Sequence, residues 1–559
     1  MRFIFYCLIL FKAYFVLSQN YIFSHLSSGF DEWPYCSAAT PDSGFVIAGY
    51  TKETSQNWSL YVLKYDKSGN QEWNYRYDGN TSKKDLVHDI IVSSDSGYIL
   101  SGRTWSYLTM GGDSYIIKLD KNGNHIFTTI VDGKSTRWYN AGLSVDETTN
   151  GEIIQAGMYH MAYNPVRYDW EINRFSSNGN QLSSYFIGLT DGNEYAMDIL
   201  AIDSNEYLVG GFTETSSTGD DFGFFHADSN DNNLYFASYS GPGDERCLKV
   251  IRNSDNSYYL AGYTDSYGAG GIDFAVIKLD SNWNIIWQKT YGGAGNDELK
   301  NACSDGKDGL IMGGYTDGFG VQGKDNLLIR IDSSGNSVKA LTFGGNFDDE
   351  VASLSLDHLG NYIIQTKTNS YTNGGTNDIV LVKTDSSFNL DCEFNTVSIQ
   401  VNSASFSTVL GATEISGVQY DTHETMSRTS YSFNVTMLTP FIEAGPDIFN
   451  CSNDSITITA IDSNVTDISW NGGISNGIPF WSSLDSFYYV VTGANFSCSI
   501  DDSMLLVIDT PINMSFSANI SSGCSPLNVD FIPTGNNSGI LSSLWVFGDG
   551  DSSTSSGTV

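Results

Sequence analysis

The chain has 559 residues and a formal net charge of −36, from 64 Asp and Glu against 28 Lys and Arg. This acidity argues against nucleic acid and anionic lipid as the main partners, because like charges repel. Charged residues make up only 16% of the chain, while 56 Gly and 33 Tyr residues are typical of short strands and tight turns rather than long surface helices. We therefore expect an all-β protein of several domains.

The N-terminus predicts a secretory signal peptide over residues 1–18. Arg2 supplies the positive charge, residues 3–17 are apolar apart from Lys12, and the small residue Ser18 suits cleavage. The apolar stretch is too short for a transmembrane helix, and no later segment of the sequence reaches the roughly 18 apolar residues that one requires. The expected location is therefore outside the cytoplasm, either secreted or on the cell surface, with no transmembrane segment.

A repeat with a period of about 50 residues follows the signal peptide. Its anchoring positions are Gly49, Gly102, Gly157, Gly211, Gly262, Gly314 and, in degenerate form, Thr366. Each unit contains short runs of β-branched and aromatic residues separated by Asp/Gly/Asn turns, which indicates strands joined by hairpins. Seven units of this length predict a seven-bladed β-propeller over residues 19–392.

The two ends of this region contain complementary half-units. A strand over 21–27 begins the region without a first half, and the unit over 358–390 has no second half. We expect the N-terminal strands to complete the last blade, which would remove exposed sheet edges. Cys36 and Cys392 would then be neighbours, and a disulfide between them would add about 4–5 kcal/mol in the chain-entropy model. The pairing of Cys247 and Cys303 stays open.

The Asp-rich turns permit two interpretations. In Asp120–Asn124 and its repeats, Asp accepts backbone amides and Gly takes a positive φ, which is hairpin chemistry. Calcium binding is the alternative, but the ligand spacing of an EF-hand is absent from the sequence. No metal or other cofactor is therefore predicted, and calcium is retained only as an alternative.

The repeat stops after residue 392. Residues 393–440 are rich in Ser, Thr, Asn and Val, and predict a β-rich linker or a small module. Residues 441–510 contain Cys451, a strand-forming run at 455–460, Trp470 and Cys498, and this pattern resembles an immunoglobulin-like domain of bacterial surface proteins. The resemblance implies a Cys451–Cys498 bridge beside Trp470 in a sandwich core.

The last segment, 511–559, contains Gly523-Cys-Ser-Pro-Leu527 and Trp545-Val-Phe-Gly-Asp-Gly550. These residues resemble a PKD (polycystic kidney disease) domain, although Val546 stands where that family has Asp. Only about half of such a domain is present, so we expect a truncated PKD domain. Together, the repeats and these modules resemble large secreted proteins of Bacteroidetes-type bacteria, which implies a role at the cell surface.

Catalytic motifs are not evident in the sequence. The seven His residues show no His-Glu-x-x-His spacing, and there is no Gly-x-Ser-x-Gly elbow or phosphate-binding Gly-Lys-Ser/Thr. Most Asp residues recur at turn positions, where a structural role is sufficient. We therefore predict that the protein is not an enzyme, with a polysaccharide-active propeller enzyme as the alternative.

Aromatic residues concentrate in one set of loops, the loop after the first strand of each of the first three units. Equivalent loops of all blades lie on one face of a propeller, so these aromatics are predicted to form a rim that binds an extracellular glycan or protein. The alternative is that they pack against their own loops. The candidate ligand-binding residues are Trp58, Trp105, Tyr107, Tyr163, Tyr168 and Trp170.

The sequence therefore favours a binding or adhesion protein with the propeller as its interaction platform and the sandwich modules as spacers. A purely structural surface protein is a further alternative. The identity of the ligand and the oligomeric state are not predicted.

Overall fold

The structure of the protein is a computed structural model of the whole chain. It describes residues 22–55, 57–79, 83–107, 112–132, 140–161, 167–188, 192–215, 219–228, 233–319, 323–371, 377–385, 387–388, 394–410, 413–416, 420–424, 426–430, 434–437, 441–450, 455–463, 465, 467–481, 485–495, 498–508, 514–522, 529–535, 545–546 and 552–554. These residues divide between two compact units, one over 19–439 and one that contains 440–559.

Strands account for nearly all of the regular structure. Within the described ranges, the one helical element is the short 3-10 turn Asn471–Gly473, and no helix there is long and apolar enough to cross a membrane. The predicted signal peptide, 1–18, lies outside the described residues.

The first unit begins with 28 strands. In chain order they are β1 Ile22–Ser27, β2 Asp31–Ala39, β3 Phe45–Lys52, β4 Trp58–Tyr65, β5 Gln71–Asp78, β6 Asp85–Val92, β7 Tyr98–Thr104, β8 Asp113–Leu119, β9 His125–Asp132, β10 Asn140–Glu147, β11 Ile153–Met161, β12 Arg167–Phe175, β13 Gln181–Gly188, β14 Glu194–Ala201, β15 Glu206–Thr215, β16 Gly219–Asp228, β17 Asn233–Ser240, β18 Glu245–Arg252, β19 Tyr258–Thr264, β20 Asp273–Leu279, β21 Ile285–Gly292, β22 Asp297–Ser304, β23 Leu310–Thr316, β24 Asp325–Ile331, β25 Ser337–Phe343, β26 Asp349–Leu356, β27 Tyr362–Thr368 and β28 Asp378–Thr384.

These strands form seven antiparallel sheets of four consecutive strands each, except that β1 is the fourth strand of the last sheet. We number the sheets 1 to 7 by their first strands, β2, β6, β10, β14, β18, β22 and β26. β1 pairs with β28 in sheet 7, in a register that sets Ser24 opposite Leu381. The first strands of consecutive sheets contact each other, and β2 contacts both β6 and β26, so these contacts form a cycle.

The hydrophobic pattern explains the order of strands within a sheet. Third strands such as β20 and β28 are buried along their whole length, which is why they are continuous apolar runs rather than alternating ones. Fourth strands such as β21 are buried only towards their C-terminal end. Each first strand contains a register shift, for example between Leu299 and Asn301 in β22, as expected of a bulge that bends a strand.

A second set of strands follows the seven sheets in reverse order. They are β29 Asn395–Thr396, β30 Gln400–Ser403, β31 Ser407–Leu410, β32 Thr413–Ser416, β33 Tyr420–Glu424, β34 Ser427–Ser430 and β35 Asn434–Met437. They pair, in that order, with the fourth strands of sheets 6, 5, 4, 3, 2, 1 and 7. We call residues 395–437 the belt, because each sheet gains a fifth, outermost strand from it.

The belt differs from the prediction for this segment. Residues 393–440 were expected to be a linker or a separate module, whereas their strands hydrogen-bond to the fourth strands of all seven sheets. Phe406 of the belt is buried and packs against Phe222 and Tyr267. The physical reason is that the fourth strands would otherwise present unpaired N–H and C=O groups along seven edges.

In the second unit, the described residues form ten further strands: β36 Phe441–Glu443, β37 Ile448–Asn450, β38 Ile461–Ser463, β39 Asp467–Trp470, β40 Asp485–Asn495, β41 Cys498–Ile508, β42 Met514–Ala518, β43 Phe531–Gly535, β44 Trp545–Val546 and β45 Ser552–Ser553. A four-stranded sheet, in the order β37-β41-β40-β39, and the β36-β38 pair enclose a core that includes Ile442, Trp470 and Leu506. The indole of Trp470 donates to Oδ1 of Asn476 at 3.2 Å. Pairs β42-β43 and β44-β45 follow.

Candidate ligand-binding face

Two kinds of loop meet on one side of the seven sheets. The backbone N–H of Trp105, after the second strand of sheet 2, donates to the carbonyl of Lys84, before its first strand, at 2.9 Å. The same contact recurs between Asp265 and Asp244 at 3.1 Å and between Asn369 and Asp348 at 2.9 Å. We call this side the loop face: it consists of the loops between second and third strands and the loops between successive sheets.

Buried acids organise the loop face. An acid lies at or next to the start of the first strand in six sheets, and the corresponding residue of sheet 3 is Asn140: these acids are Glu32, Asp85, Glu194, Glu245, Asp297 and Asp349. Asp349 accepts the N–H of Gly345 at 2.9 Å and the hydroxyl of Ser370 at 2.6 Å. Asp85 likewise accepts the N–H of Gly79 and the hydroxyl of Ser106, so these carboxylates fix a loop between sheets and a loop between strands at the same point.

A second buried acid lies close to most of the first ones. It starts the third strand of the preceding sheet, as Asp273 does beside Asp297 and Asp325 beside Asp349. A Cβ on Gly292 would lie 1.9 Å from Oδ1 of Asp273 and 2.5 Å from Oδ2 of Asp297. Glycine is required there because any side chain would enter the space between the two carboxyl groups. We call these paired groups the junction acids.

Burial is the main cause of the raised pKa values of the junction acids. Burial, opposed in part by backbone hydrogen bonds, raises the pKa of Asp273 to about 6. Burial and then the Asp349 carboxylate raise the pKa of Asp325 to about 7. Burial followed by the contact with Asp378 raises the pKa of Glu32 to about 9. The junctions between sheets are therefore held by carboxyl groups that are partly protonated near neutral pH.

An open pocket of ≈ 480 Å³ lies on the loop face between sheets 4 and 5. Its lining comprises Tyr195, Phe212, Glu214, Gly219, Asp220, Asp244 and Arg246. The Tyr195 and Phe212 rings stack at 4.8 Å between centroids, and the guanidinium carbon of Arg246 lies 4.8 Å from the Phe212 centroid. Arg246 Nε also donates to Oδ2 of Asp220 at 2.5 Å. The pocket thus combines a pair of stacked aromatic rings with charged hydrogen-bond acceptors and donors.

The aromatic platform continues into sheet 3. The Tyr168 ring stacks on Tyr195 at 5.4 Å, and its backbone N–H donates to Oδ1 of Asn193 at 3.1 Å. The side-chain amide of Asn193 in turn donates to Glu214 at 2.5 Å. Tyr168, Tyr195 and Phe212 therefore form one row of rings that ends at the pocket.

A second aromatic group lies at sheets 1, 2 and 7. Trp33 and Tyr50 stack at 6.0 Å with their planes 4° apart, and Tyr50 and Trp58 stack at 5.6 Å and 3°. Lys52 Nζ lies 4.0 Å from the Trp33 centroid and 4.5 Å from that of Trp58. Lys84 lies 4.2 Å from the Trp58 centroid, and Lys367 lies 4.5 Å from that of Trp33.

Three of the predicted rim residues are at least partly accessible. Trp58 belongs to the second aromatic group, Tyr168 belongs to the row that ends at the pocket, and Trp105 lies under Arg103, whose guanidinium carbon is 4.3 Å from the indole centroid. The structure does not bring these three together at one point. Tyr163 lies outside the described residues.

Two other predicted rim residues are core residues in the structure. Trp170 is only 1% exposed, because it sits in a third strand that is buried on both faces, and its Nε1 donates to the carbonyl of Phe212 at 3.2 Å. Tyr107 is buried against the core of sheets 1 and 2. Neither offers a free ring face to a ligand, so for these two the packing interpretation is the correct one.

Sequence reasoning missed the residues that line the pocket. Tyr195 and Arg246 each follow directly after a first-strand acid, Glu194 and Glu245, and Phe212 lies opposite Tyr195 in the strand register. Trp33 occupies the same position after Glu32. Aligning the residue after each such acid across the six units that have one would have placed Trp33, Tyr195 and Arg246 at equivalent positions.

Of the two cysteines in the predicted Cys36–Cys392 bridge, the structure describes Cys36 alone. Cys36 has a free thiol that is 5% exposed and packs with Val46 and Val87 inside the sheet 1–sheet 2 core, where a partner cysteine would have to displace this packing. Cys392 lies outside the described residues. Cys247 and Cys303 are also free. The Cys451–Cys498 bridge stays a prediction, because Cys451 and the side chain of Cys498 are not described.

Acids on the first strands are engaged by backbone and lysine. Asp198 accepts Lys249 Nζ at 2.7 Å and the N–H of Val250 at 2.8 Å, and Asp146 accepts the N–H of Ala201 at 2.8 Å. These bonds join the first strands of neighbouring sheets. In the part of the chain that the structure describes, no group of three or more His, Cys, Asp or Glu side chains is placed to hold a metal ion.

Comparison with known proteins gives a remote structural likeness. The crystal structure of a protein of unknown function from Dyadobacter fermentans DSM 18053 is similar to this chain with a TM-score of 0.38 and 11% identity, over 65% of this chain and 97% of that chain. At that level the likeness carries no argument about function. No protein family matches the chain, and no curated protein matches it.

Proposed function

We propose that the chain is a secreted or cell-surface binding protein whose loop face recognises an extracellular glycan. In this proposal residues 19–439 form a seven-bladed β-propeller, with the belt as the outermost strand of each blade. Residues 441–510 are an immunoglobulin-like spacer and 511–559 part of a PKD domain.

The propeller assignment is supported by three observations. Seven sequence repeats correspond to seven four-stranded sheets. The first strands of those sheets contact each other in a cycle, and β1 from the start of the chain is the fourth strand of sheet 7. A propeller accounts for all three, because radial sheets share an inner surface and close on their first and last members.

The pocket between sheets 4 and 5 is the observation that carries the binding function. The partly exposed rings of Tyr168 and Tyr195 offer apolar edges to the C–H groups of a sugar, and Glu214, Asp220, Asp244 and Arg246 surround the pocket with hydrogen-bonding groups. The first-strand acids, by contrast, bind backbone amides and Lys249, which favours a structural role for them over polysaccharide cleavage.

Substitution of Tyr195 tests the binding function. Screening of the full chain on a panel of neutral plant, microbial and animal glycans is expected to identify binders. Tyr195→Ala removes the ring that forms the platform and should weaken such a binder at least about tenfold, or about 1.4 kcal/mol. Tyr195→Phe keeps the ring and should retain most of the affinity.

The control for this experiment is Tyr488→Ala, which removes an aromatic ring that is 69% exposed in the second unit. It should bind as the unsubstituted chain does. Glycan binding by Tyr195→Ala with undiminished affinity, at an unchanged thermal midpoint, would contradict the pocket as the binding site.

A further inference from the structure

The second aromatic group concentrates positive charge in an acidic chain. Lys52, Lys84 and Lys367 come from sheets 1, 2 and 7, and their ammonium groups share the faces of two indoles, Trp33 and Trp58. We call these five residues the lysine–tryptophan cluster. Only 28 of the 559 residues are Lys or Arg, so three cations around two neighbouring rings are a marked local departure from the charge of the molecule.

The three ammonium groups differ in their carboxylate neighbours. Lys367 forms an ion pair with Glu350, its cross-strand neighbour. Lys52 has Asp31 opposite it in the register of β2 and β3, but among the described residues neither Lys52 nor Lys84 is in an ion pair, and both ammonium groups lie over the indole of Trp58. Burial lowers the pKa of Lys52, Asp31 opposes that shift, and the ammonium groups of Lys367 and Lys84 add to it.

Structural stabilisation does not explain this arrangement well. An exposed cation–π contact contributes about 0.5–1 kcal/mol, and one lysine on each indole would supply it without placing like charges together. Shared rings instead hold Lys52 and Lys84 in fixed positions around Trp58, so a ligand would not have to order two flexible side chains.

We propose that the lysine–tryptophan cluster is a subsite for a negatively charged sugar, one that carries a carboxylate or sulfate group. This inference rests on the proposed glycan-binding function and names the class of sugar. Ammonium groups form charge-assisted hydrogen bonds with such an anion, and the edges of Trp33 and Trp58 offer apolar contact to the sugar ring.

The charge of the whole chain narrows the ligand further. A net charge of −36 repels a densely charged polymer such as DNA or heparin at long range. Salt screens the repulsion from charges that lie more than about 8–10 Å away. An isolated anion in contact with the cluster is therefore attracted mainly by the three nearby ammonium groups. The ligand is therefore a mostly neutral glycan in which occasional residues are acidic.

A matched pair of small ligands tests the subsite. The full chain is titrated with 4-nitrophenyl β-glucuronide and with 4-nitrophenyl β-glucoside, which differ only in the carboxylate. The chain should prefer the glucuronide at least about fivefold, about 1 kcal/mol. In Lys52→Met with Lys84→Met, which keeps the apolar stems, the preference should disappear.

The control is Lys121→Met with Lys307→Met, which removes two exposed lysines from hairpin turns remote from the cluster. It should keep the full preference. No preference in the unsubstituted chain, or a preference that survives loss of Lys52 and Lys84, overturns the subsite. Tighter binding of a 12-base-pair DNA duplex that is lost in the same double variant overturns the assignment to a sugar and indicates a polyanion.

The same variants separate this inference from the proposed function. Binding of a neutral glycan in the pocket should be unaffected by Lys52→Met with Lys84→Met and lost in Tyr195→Ala. Loss of neutral-glycan binding at Tyr195 with an unchanged glucuronide preference supports both proposals. Retention of neutral-glycan binding in Tyr195→Ala contradicts the proposed role of the pocket and leaves the proposed subsite at the lysine–tryptophan cluster standing.

Discussion

Gly292 shows how a single residue controls a junction between sheets. It closes the fourth strand of sheet 5, and its missing side chain leaves the space in which the carboxyl groups of Asp273 and Asp297 face each other. Gly344 has the same position beside Asp325 and Asp349. Glycine at 292 and at 344 is therefore explained by the carboxyl groups and not by the turn alone.

Gly292→Ala should destabilise the first unit by about 1–3 kcal/mol, because its Cβ would overlap Asp273 Oδ1. Gly318→Ala is the matched control, since a Cβ there would meet its neighbours no closer than 3.4 Å. Denaturant unfolding measures both. Adding Asp273→Ala to Gly292→Ala should restore part of the loss, and strictly additive effects would contradict the overlap.

At the scale of elements, the belt is the feature that the sequence did not predict. Its strands are two to five residues long and mostly polar, so the period-two pattern that indicates a strand has no length over which to appear. These strands pair with fourth strands that can lie hundreds of residues away in the chain. Arg428, for example, pairs with Tyr77. Local sequence contains little information about partners at that separation.

Phe406→Ala tests whether the belt is docked. Phe406 is 5% exposed, and its backbone N–H donates to the side-chain carbonyl of Gln288 at 3.0 Å. Its truncation should cost about 3–5 kcal/mol, the range for a buried Phe. Phe347→Ala, at a residue 62% exposed, should cost less than about 0.5 kcal/mol. Equal, small effects in thermal or denaturant unfolding would contradict a docked belt.

The third strands were the most predictable elements. Their apolar runs and the Asp-x-x-x-Asn turns after them recur in nearly every unit, and Asp280 and Asp332 accept the predicted amides two and four residues on. The functional side chains were harder to place. Trp170 and Tyr195 are both aromatic residues near the loop face, and only the burial of the third strand separates the core residue from the pocket residue.

At the scale of the whole molecule, the junction acids make stability depend on pH. A carboxyl group whose folded pKa is raised binds more protons when folded, so its contribution is fully present below its unfolded pKa, near 4, and is lost as pH rises through the folded pKa. The folded pKa values of Asp273 and Asp325 are about 6 and 7, with burial as the largest cause of each.

The thermal midpoint of the first unit should therefore be higher at pH 5 than at pH 8. Asp42 and Asp95 have folded pKa values lowered to about 2, so both remain ionised at pH 5 and at pH 8. Their contribution to folding stability is therefore kept at pH 5. Hydrogen bonds and Lys64 lower the pKa of Asp42 against the effect of burial. Asp325→Asn should reduce the difference between the two pH values. A midpoint that rises from pH 5 to pH 8 would contradict the assignment of the junction acids.

The central claim is that a glycan binds the loop face at the row of rings between sheets 3 and 5. Hydroxyl-radical footprinting of the full chain, with and without a glycan that binds it, tests this claim most directly because the rings themselves are oxidised. The account predicts that oxidation of Tyr168 and Tyr195 falls when the glycan is bound, while that of Tyr488 in the second unit does not change. Bound glycan with undiminished oxidation of Tyr168 and Tyr195 would contradict it.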